Sequence, residues 1–575
     1  GGILSLIISL YKIKKSHTKN HKIYQQTIQI FPQLKYPKLD ACKDYNESLK
    51  YKLHLSYLLG NALIEADKNW YKGGYLKLLS KIEKAKARHR AIQEVVRIIP
   101  KEKQEIFYCI ELENRVQINC EKINRIFQAH KDYQPIIDNI LHNFSYFLEN
   151  FSEIESWLLS GEFHKRYKKE KHPYPSLINP KTADYKNISA QLAWEMNLPL
   201  PENYDFLFLL IHGAGTTSMS YYLTAFCGVS LNRRFGDPYS QYCDSYKILL
   251  EDSKNKKGVI LAGEFTTKNI ADKFYAMITK KCPALCVVRD PISTLKPIVN
   301  HLTHWNVQKH GAIIREIDFS LDIDKLVEFK LPFLYSDNTG YPSLNAINFY
   351  DRVKNFNILQ YRILALGERL SWIYYVDMAE ILPCKTYNTL IKLADRFGFC
   401  PPKNSKIFEI ILNNSSRHRA RYFFPKNYRV SVGGKNIALH LRIENGVSND
   451  KFVNCISEFT SSEFLLGEQV GATAYILAED LEKLKADDEA WRKTRDYLKE
   501  LFYRLDQCCT RDMQKLIDED KILEFFREES NREVLIKHKA KFDEDLEHIK
   551  RYRPDIVESW KYYQEFLKIC EEKGI

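Results

Sequence analysis

The sequence lacks an apolar run of about 20 residues, the length that a membrane-spanning helix needs. The apolar run near its start, Ile3 to Leu10, is too short, and no signal-peptide cleavage pattern follows it. The 13 cysteines contain no C-x-x-C pair and are odd in number, so neither a zinc ribbon nor a disulfide framework is indicated. We therefore expect a soluble or peripheral protein of a reducing compartment.

Basic residues outnumber acidic ones. The 575 residues include 86 Lys and Arg against 73 Asp and Glu, a formal net charge of +13. Such an excess favours a partner that carries phosphate or another acid. The 36 Tyr and 31 Phe are not interleaved with basic residues in the pattern of an RNA-recognition module, so no nucleic acid partner is expected. The length predicts two to four domains of roughly 150 residues each.

An initiator methionine is also missing, and an internal repeat offers an explanation. Gly1-Gly2-Ile3-Leu4 aligns with Gly73-Gly74-Tyr75-Leu76, and after a short slip the segment 21–32 aligns with 89–100. We expect two tandem copies, of which the first is truncated, and hence a natural chain longer than 575 residues.

Each copy has the pattern of two helices joined at a Gly-Gly turn, with leucines in both halves. Units of this kind bury their apolar stripe against a neighbour. The second helix of the complete copy carries a lysine-rich face from Lys77 to Arg90. That face fits an anionic membrane surface or an acidic partner, and a solvated helix face is the alternative.

Strand and helix patterns alternate in the middle of the chain, which predicts an α/β fold with a parallel sheet. The predicted strands cover 206–211, 259–262, 284–288 and 372–376, and the predicted helices cover 218–226, 269–281 and 385–397. A hairpin is predicted at 429–432 and 437–443. The expected parts are tandem helical repeats (1–105), a helical segment with a proline-containing linker (106–195), the α/β core (196–430), and the hairpin with C-terminal helices (431–575).

The strongest candidate site follows the first strand of this core. This site, which we call the glycine loop, consists of His212, Gly213, Ala214, Gly215, Thr216, Thr217 and Ser218. Glycines let the backbone approach a ligand closely, while free N–H groups and hydroxyls at a helix start bind anions. The common NTPase pattern G-x-x-x-x-G-K-[ST] is absent. The alternative is a strand-to-helix turn with a Thr/Ser cap.

A second candidate follows the third predicted strand, in the run Arg289-Asp290-Pro291-Ile292-Ser293. Because carboxyl ends of parallel strands share one edge, this run is expected at the same edge as the glycine loop. Arg289 offers a bidentate cation for phosphate, and Ser293 offers a hydroxyl one turn later. Alternatively, Arg289 pairs with an acid and Asp290 caps the following helix.

General acid–base candidates are Glu264, which follows the second strand, and His301. Glu264 would alternatively cap the next helix. Asp322 and Asp324 have the spacing of a metal pair, but a helix cap is the favoured interpretation. The basic run from Arg417 to Arg421 fits either closure over a donor or a solvated loop. Neither His301 nor His304 has a carboxylate or cysteine at the spacing of metal ligands.

These edge features, in this order, resemble the sulfotransferase-like P-loop fold. The resemblance implies that Ala214 to Thr217 hold a donor's 5′-phosphate, that Arg289 and Ser293 hold its 3′-phosphate, and that Glu264 is the catalytic base. The implied donor is adenosine phosphosulfate or another nucleotide-linked compound. This sequence departs from that family at two positions: Gly213 replaces a lysine, and Pro297 replaces the serine of the 3′-phosphate motif.

A further resemblance, to the domain of unknown function 2972 family, covers more of the chain. It rests on Leu59 to Ile64, Asn69 to Gly74, Ala193 to Pro201, and the core. Members occur in epsilonproteobacteria and are often labelled sugar transferases of capsule or lipooligosaccharide clusters, some of them linked to phosphoramidate transfer. The resemblance implies a glycan acceptor at the cell surface.

The combined hypothesis is a transferase that moves a group from a phosphate-bearing donor to a glycan hydroxyl, with Glu264 or His301 as the base. It needs no metal. The expected location is the cytoplasm, with peripheral contact at the inner membrane. The alternative is a non-catalytic interaction or scaffold protein whose P-loop-like core has degenerated.

Overall fold

The computed structural model describes residues 2–38, 41–43, 45, 49–108, 121–232, 237–261, 268–302, 314–334, 339–348, 359–405, 418–443, 451–460, 466 and 470–575. The chain divides into two compact units. Unit 1 comprises Gly1–Ala183 with Glu195–Leu198, and unit 2 comprises Asp184–Trp194 with Pro199–Ile575. The expected four-part division stays a prediction.

Helices make up the regular structure described in unit 1. They are α1 Gly2–Ile30, α2 Leu55–Lys68, α3 Leu78–Ile98, α4 121–130, α5 Gln134–His142, α6 Phe144–Glu149, α7 Phe151–Leu158 and α8 Gly161–Phe163. Short 3₁₀ helices cover Pro32–Leu34, Leu49–Leu53, Trp70–Lys72 and Lys101–Tyr108, and a π-helical turn covers His164–Lys168.

The predicted helix pair of the complete repeat is confirmed, because α2 packs against α3 across the Gly73-Gly74 turn. Small and aliphatic side chains at helical spacing form the contact. The buried residues are Leu58, Ala62 and Ala66 of α2 and Ala85, Ala91, Ile92 and Val95 of α3. Short side chains allow the two helix axes to approach closely.

Unit 2 contains a five-stranded parallel sheet, as predicted for the core. Its strands are β1 Phe206–Leu209, β2 Val229–Leu231, β3 Lys256–Leu261, β4 Cys282–Val288 and β6 Leu370–Asp377, in the spatial order β2-β3-β1-β4-β6. The strand before the glycine loop is therefore central. Leu207 of β1 is paired with Val259 of β3 and with Ala284 of β4.

Local sequence explains these strands. All four residues of β1, Phe-Leu-Phe-Leu, are buried, which is typical of a strand covered on both faces. The predicted strands at 206–211, 259–262, 284–288 and 372–376 are confirmed, and no end differs by more than three residues. Strand β2 was missed because its three residues are too few to show a period.

The remaining helices belong chiefly to unit 2. They are α9 Ala190–Glu195, α10 Thr216–Phe226, α11 Pro238–Leu250, α12 Lys268–Ala276, α13 Pro291–Val299, α14 Ile323–Val327, α15 345–348, α16 Leu359–Leu366, α17 Pro383–Phe397, α18 His418–Phe423, α19 Ala478–Ala486, α20 Asp488–Gln514, α21 Glu519–Arg527, α22 Arg532–Asp545, α23 Glu547–Tyr552, α24 Pro554–Ser559 and α25 Lys561–Glu572. Short 3₁₀ helices cover Gly367–Arg369, Met378–Ile381, Ile456–Glu458 and Glu529–Asn531.

Helices α10 and α17 cover one face of the parallel sheet. Their buried side chains form one core with those of the strands, among them Phe206, Met219, Leu223, Leu390 and Phe397. Helix α17 ends at Gly398, whose φ of +72° provides a left-handed C-cap. The core thus holds α10, and with it the glycine loop, against the central strand.

A second sheet follows the first in unit 2. It has the order β5-β7-β8-β10-β9, with β5 Glu316–Ile317, β7 Lys426–Val432, β8 Lys435–Ile443, β9 Phe452–Asn454 and β10 Ala472–Leu477. Strands β7 and β8 are the predicted hairpin, joined by Gly433-Gly434. The long helix α20 packs on this sheet through Leu498, Leu501 and Phe502. Along the described parts of the chain, no helix has the length and apolar character to cross a membrane.

Candidate functional site

The glycine loop joins the end of β1 to the start of α10. Gly213 has φ +76° and Gly215 has φ +85°, both in the left-handed region that glycine adopts without strain. A Cβ atom on Gly213 would lie 2.8 Å from the carbonyl oxygen of Thr294, and one on Gly215 would overlap the sulfur of Met378. The loop therefore packs directly on α13 and on the turn after β6. This contact explains why no lysine stands at position 213.

Replacing Gly213 by alanine tests this packing. We expect the free energy of unfolding to fall by about 2–4 kcal/mol, because the substitution combines left-handed backbone strain with a steric clash. The matched control is Gly434→Ala in the hairpin turn, where φ is +80° but no atom lies within 4 Å of the added Cβ. Urea denaturation should show a loss of about 1 kcal/mol for the control. Equal losses for the two variants would contradict the close packing of the loop.

The first turn of α10 presents hydroxyls and backbone N–H groups. Its N-cap residue is Gly215, which has no side chain to accept a hydrogen bond from the turn. Thr217 is exposed and Ser218 is half-buried, whereas Thr216 is buried and its hydroxyl donates to Ile211 O at 3.4 Å. The predicted possibility of a hydroxyl-capped turn is therefore not realised among the described side chains. An uncapped helix start of this kind attracts anions.

A cleft of about 950 Å³ lies beside this first turn. It is lined by Thr217, Ser220, Tyr221 and Thr224 of α10, by Leu231, Asn232 and Ile260 at β2 and β3, and by Asp244, Lys247, Ile248 and Glu251 at α11. The volume is within the range of about 300–1,000 Å³ that is usual for small-molecule sites. Asn232 bridges the strands, accepting from Ile260 N and donating to Ile260 O.

Arg289 lies where the sequence predicted, at the carboxyl end of β4 beside the loop. Its Nη1 donates to Gly213 O at 3.1 Å. Its Nη2 lies 3.8 Å from Oε1 of Glu519, the first residue of α21. Burial lowers the pKa of Arg289, and the carboxylates near it oppose that shift. The guanidinium thus connects the loop to the C-terminal helices.

Glu519 occupies the position at which a phosphate was expected. Its Oε1 accepts from Ser293 Oγ at 3.1 Å, and its Oε2 accepts from Lys296 Nζ at 2.9 Å. A carboxylate and a phosphate use the same donors. In this structure the cation and hydroxyl set of Arg289, Ser293 and Lys296 is filled by a side chain of the protein itself.

Asp290 caps two helices. Its Oδ1 accepts from Ile292 N at 2.9 Å in α13, which is the helix cap predicted from the sequence. Its Oδ2 accepts from Tyr562 N and Tyr563 N, at 2.9 and 3.0 Å, at the start of α25. Burial raises the pKa of Asp290, although these backbone N–H groups oppose that effect. The residue therefore holds α25 against the carboxyl edge of the sheet.

Further contacts join the C-terminal helices to the ends of the sheet strands. Trp560 Nε1 donates to Asp377 Oδ2 at 2.6 Å, and Tyr375 OH lies 2.9 Å from His548 Nδ1 in a shared hydrogen bond. At the end of α13, the Asn300 side-chain amide donates to Ile517 O at 2.7 Å, and its Oδ1 accepts from Ile517 N at 3.0 Å. The sequence did not predict that the C-terminal helices pack here, because all of these contacts link residues that are far apart in the chain.

Arg362 is the largest of the fully buried side chains. Its Nη1 donates to the carbonyl oxygens of Leu210 and Leu261, which directly follow β1 and end β3. Arg362 belongs to α16, and the first residue of that helix, Leu359, donates its backbone N–H to Asp545 of α22. Burial raises the pKa of the Asp545 carboxyl to about 6, and the charge of Arg362 partly offsets that rise.

The remaining predicted site residues lie elsewhere. Glu264 is outside the residues that the structure describes. His301 is exposed and follows the C-terminal end of α13, whereas Arg289 precedes its N-terminal end, so the helix separates them by roughly 15 Å. The structure therefore groups His212 to Ser218 with Arg289 and Ser293 but does not bring His301 to them.

The aspartate pair and the basic run both make contacts within the protein. Asp322 caps α14 by accepting from Asp324 N at 3.0 Å, and Asp324 pairs with Arg504 at 2.7 Å. Arg419 of the basic run is buried and pairs with Asp512, Nε to Oδ2, at 2.5 Å. It neither closes over a donor nor lies in a solvated loop, while Arg417 is outside the described residues. Within the described ranges, no group of His, Cys, Asp or Glu side chains could hold a metal ion.

Two family models match parts of the chain. A model described as a protein of unknown function (DUF2972) matches residues 375–573. A model described as a domain of unknown function (DUF8374) matches residues 1–91. No curated protein and no solved structure matches the chain. The expected resemblance to DUF2972 is thus confirmed in part, for the segment from the end of β6 to α25, which contains Glu519, Asp545 and Trp560. The segments 59–74 and 193–201, on which it was also based, lie outside that match.

Proposed function

We propose that the protein is a transferase that moves a group from a phosphate-bearing activated donor to a hydroxyl of a cell-surface glycan. The observation that carries this proposal is the uncapped start of α10, which follows the central strand and borders the cleft of about 950 Å³. Ligands of open α/β sheets bind at the carboxyl ends of the strands. A phosphate at this helix start would accept hydrogen bonds from backbone N–H groups and from the Thr217 hydroxyl.

The donor phosphate is proposed to lie on the cleft side of the loop. Arg289, Ser293 and Lys296 already bind Glu519, so they supply little to a donor while α21 is in place. The cleft offers its own cation, Lys247, together with the Asp244 and Glu251 carboxylates. Carboxylates accept hydrogen bonds from sugar hydroxyls, which suits a donor or acceptor that carries a sugar.

The acceptor and the base are proposed from the sequence. A glycan acceptor rests on the sequence resemblance to capsule and lipooligosaccharide transferases. Glu264 is proposed as the base because a carboxylate can accept a hydroxyl proton and because it comes three positions after the last residue of β3 in the sequence. His301 is a weaker choice, because α13 separates it from the loop. A sulfotransferase-like P-loop core remains part of this proposal.

Nucleotide binding tests the donor site. Adenosine 3′,5′-bisphosphate, CDP and UDP should be screened by thermal shift, and at least one should stabilise the protein by about 2.7 kcal/mol at one hundred times its Kd. Lys247→Ala should weaken the binding of that nucleotide about fivefold, because an exposed charge-assisted contact contributes about 1 kcal/mol. Lys254→Ala, an exposed lysine outside the cleft lining, is the matched control. Unchanged affinity in Lys247→Ala would place the donor elsewhere.

A second candidate function is that of a non-catalytic interaction protein. Glu519 supports it, because an internal carboxylate on Arg289, Ser293 and Lys296 removes the part of the site that would hold a second phosphate. The packing of Gly213 against α13, which excludes a lysine there, supports it too. This candidate predicts that none of the three nucleotides stabilises the protein.

A further inference from the structure

The charge of the chain is concentrated at one end. Residues 1–100 contain 19 Lys and Arg against 7 Asp and Glu, a net charge of +12 out of +13 for the whole chain. The other 475 residues are therefore nearly neutral. A local excess of this size attracts anionic surfaces far more strongly than the same charge spread evenly.

The turn between α2 and α3 exposes large apolar side chains within this basic region. We define the hairpin tip as residues 70–79. Trp70 is 67% exposed, Leu76 is 90% exposed and Leu79 is 77% exposed, and Tyr71 and Tyr75 are exposed beside them. Residues 70–76 form a compact double turn closed by hydrogen bonds from Gly73 N and Leu76 N. The exposed apolar groups therefore lie within ten residues of one another, on a structured turn and the helix start that follows it.

The acidic residues beside the hairpin tip are already paired. Glu65 binds Lys81 at 2.9 Å, and Asp67 binds Lys14 at 2.8 Å and accepts from Tyr75 OH at 2.9 Å. The hydrogen bonds of Asp67 lower the pKa of its carboxyl. Lys72 and Lys77 remain exposed at the tip, and the Lys72 ammonium lies 5.5 Å from the centre of the Tyr71 ring. The tip thus presents aromatic rings, leucines and cations together.

We propose that the hairpin tip docks the protein on an anionic phospholipid bilayer. Trp and Tyr side chains favour the membrane–water interface, leucines enter the acyl boundary, and lysines extend to the lipid phosphates. A nucleic acid would use the lysines but offers nothing to bury Leu76 and Leu79, so a lipid surface fits the tip better. The contact is peripheral, and it is independent of the proposed transferase activity.

Co-sedimentation of the full chain with lipid vesicles tests this proposal. Vesicles of phosphatidylcholine containing about one third phosphatidylglycerol should bind the protein at least tenfold more tightly than pure phosphatidylcholine, and added salt should weaken the binding. Trp70→Ser combined with Leu76→Ser should reduce binding at least tenfold. Trp70→Phe should retain it, because phenylalanine keeps an apolar ring at the interface.

Matched controls separate the tip from the rest of the surface. Leu364→Ser replaces a leucine that is 69% exposed in unit 2, and it should leave vesicle binding unchanged. Lys72→Glu with Lys77→Glu should reduce binding to the anionic vesicles only, whereas Lys254→Glu should have no such effect. Equal binding to neutral and anionic vesicles, or full binding by the Ser variant, would overturn the proposal. Self-association or RNA binding that depends on the tip, without vesicle binding, would overturn it as well.

Discussion

Replacing Arg362 by methionine is expected to lower the free energy of unfolding of unit 2 by about 3–5 kcal/mol. The guanidinium is fully buried and donates to backbone carbonyl groups at the ends of two adjacent strands. Methionine fills much of the volume but removes the side-chain donor of Leu210 O, whereas Leu261 O still accepts from Leu210 N at 3.3 Å. Leaving a buried acceptor without its side-chain donor is the costly way to break a buried polar contact. It also removes the positive charge that favours ionised Asp545.

Arg504→Met is the control for that measurement. Arg504 pairs with Asp324 at 2.7 Å on the surface, where an ion pair contributes less than about 1 kcal/mol. Urea unfolding of both variants, followed by far-UV circular dichroism, compares a buried with an exposed guanidinium in one protein. A similar small loss for both would show that Arg362 does not hold the strand ends together.

Replacing Glu519 by alanine should have the second large effect. Arg289 and Lys296 would lose the carboxylate that they share, and the free energy of unfolding should fall by about 2–3 kcal/mol, since both cations are partly exposed. Inorganic phosphate should then bind the vacated cations and recover part of the stability, by an amount that grows with phosphate concentration.

The comparison that decides this prediction is between two variants. Phosphate stabilises proteins generally through exclusion from their surface, so Asp324→Asn, which breaks the exposed pair with Arg504, provides the baseline. Greater phosphate stabilisation of Glu519→Ala than of the baseline would identify Arg289, Ser293 and Lys296 as an anion site that Glu519 fills. Equal stabilisation of the two variants would mean that these residues serve only to attach α21, as the second candidate function requires.

The core was predictable because its signals are local. Four consecutive buried apolar residues form β1, and the glycines and hydroxyls that follow specify a turn and a helix start. The run from Arg289 to Ser293 could be assigned to the same edge because parallel strands end together. The cap formed by Asp290 was also within reach, since its acceptor role involves N–H groups two and three residues away.

The partners of these residues were not predictable. Ser293 and Glu519 are 226 positions apart, and Asp290 meets Tyr562 over 272 positions. The helix pattern from Ala478 onward was recognisable, but nothing in its periodicity indicated that α21 and α25 cover the carboxyl edge of the sheet. Arg419 shows the same limit: its basic neighbours suggested a ligand contact, whereas it forms a buried pair with Asp512.

The predictable and the unpredictable features differ in the range, along the chain, of the interactions that form them. Backbone conformation at β1, Gly213, Gly215 and α10 depends on side chains within a few residues, so the sequence alone sufficed to locate the strand, the glycine loop and the helix start. Which of the 73 acidic residues pairs with Arg289 depends on how the chain folds. That choice is made when burial of apolar surface packs the C-terminal helices on the sheet, and no local pattern encodes it.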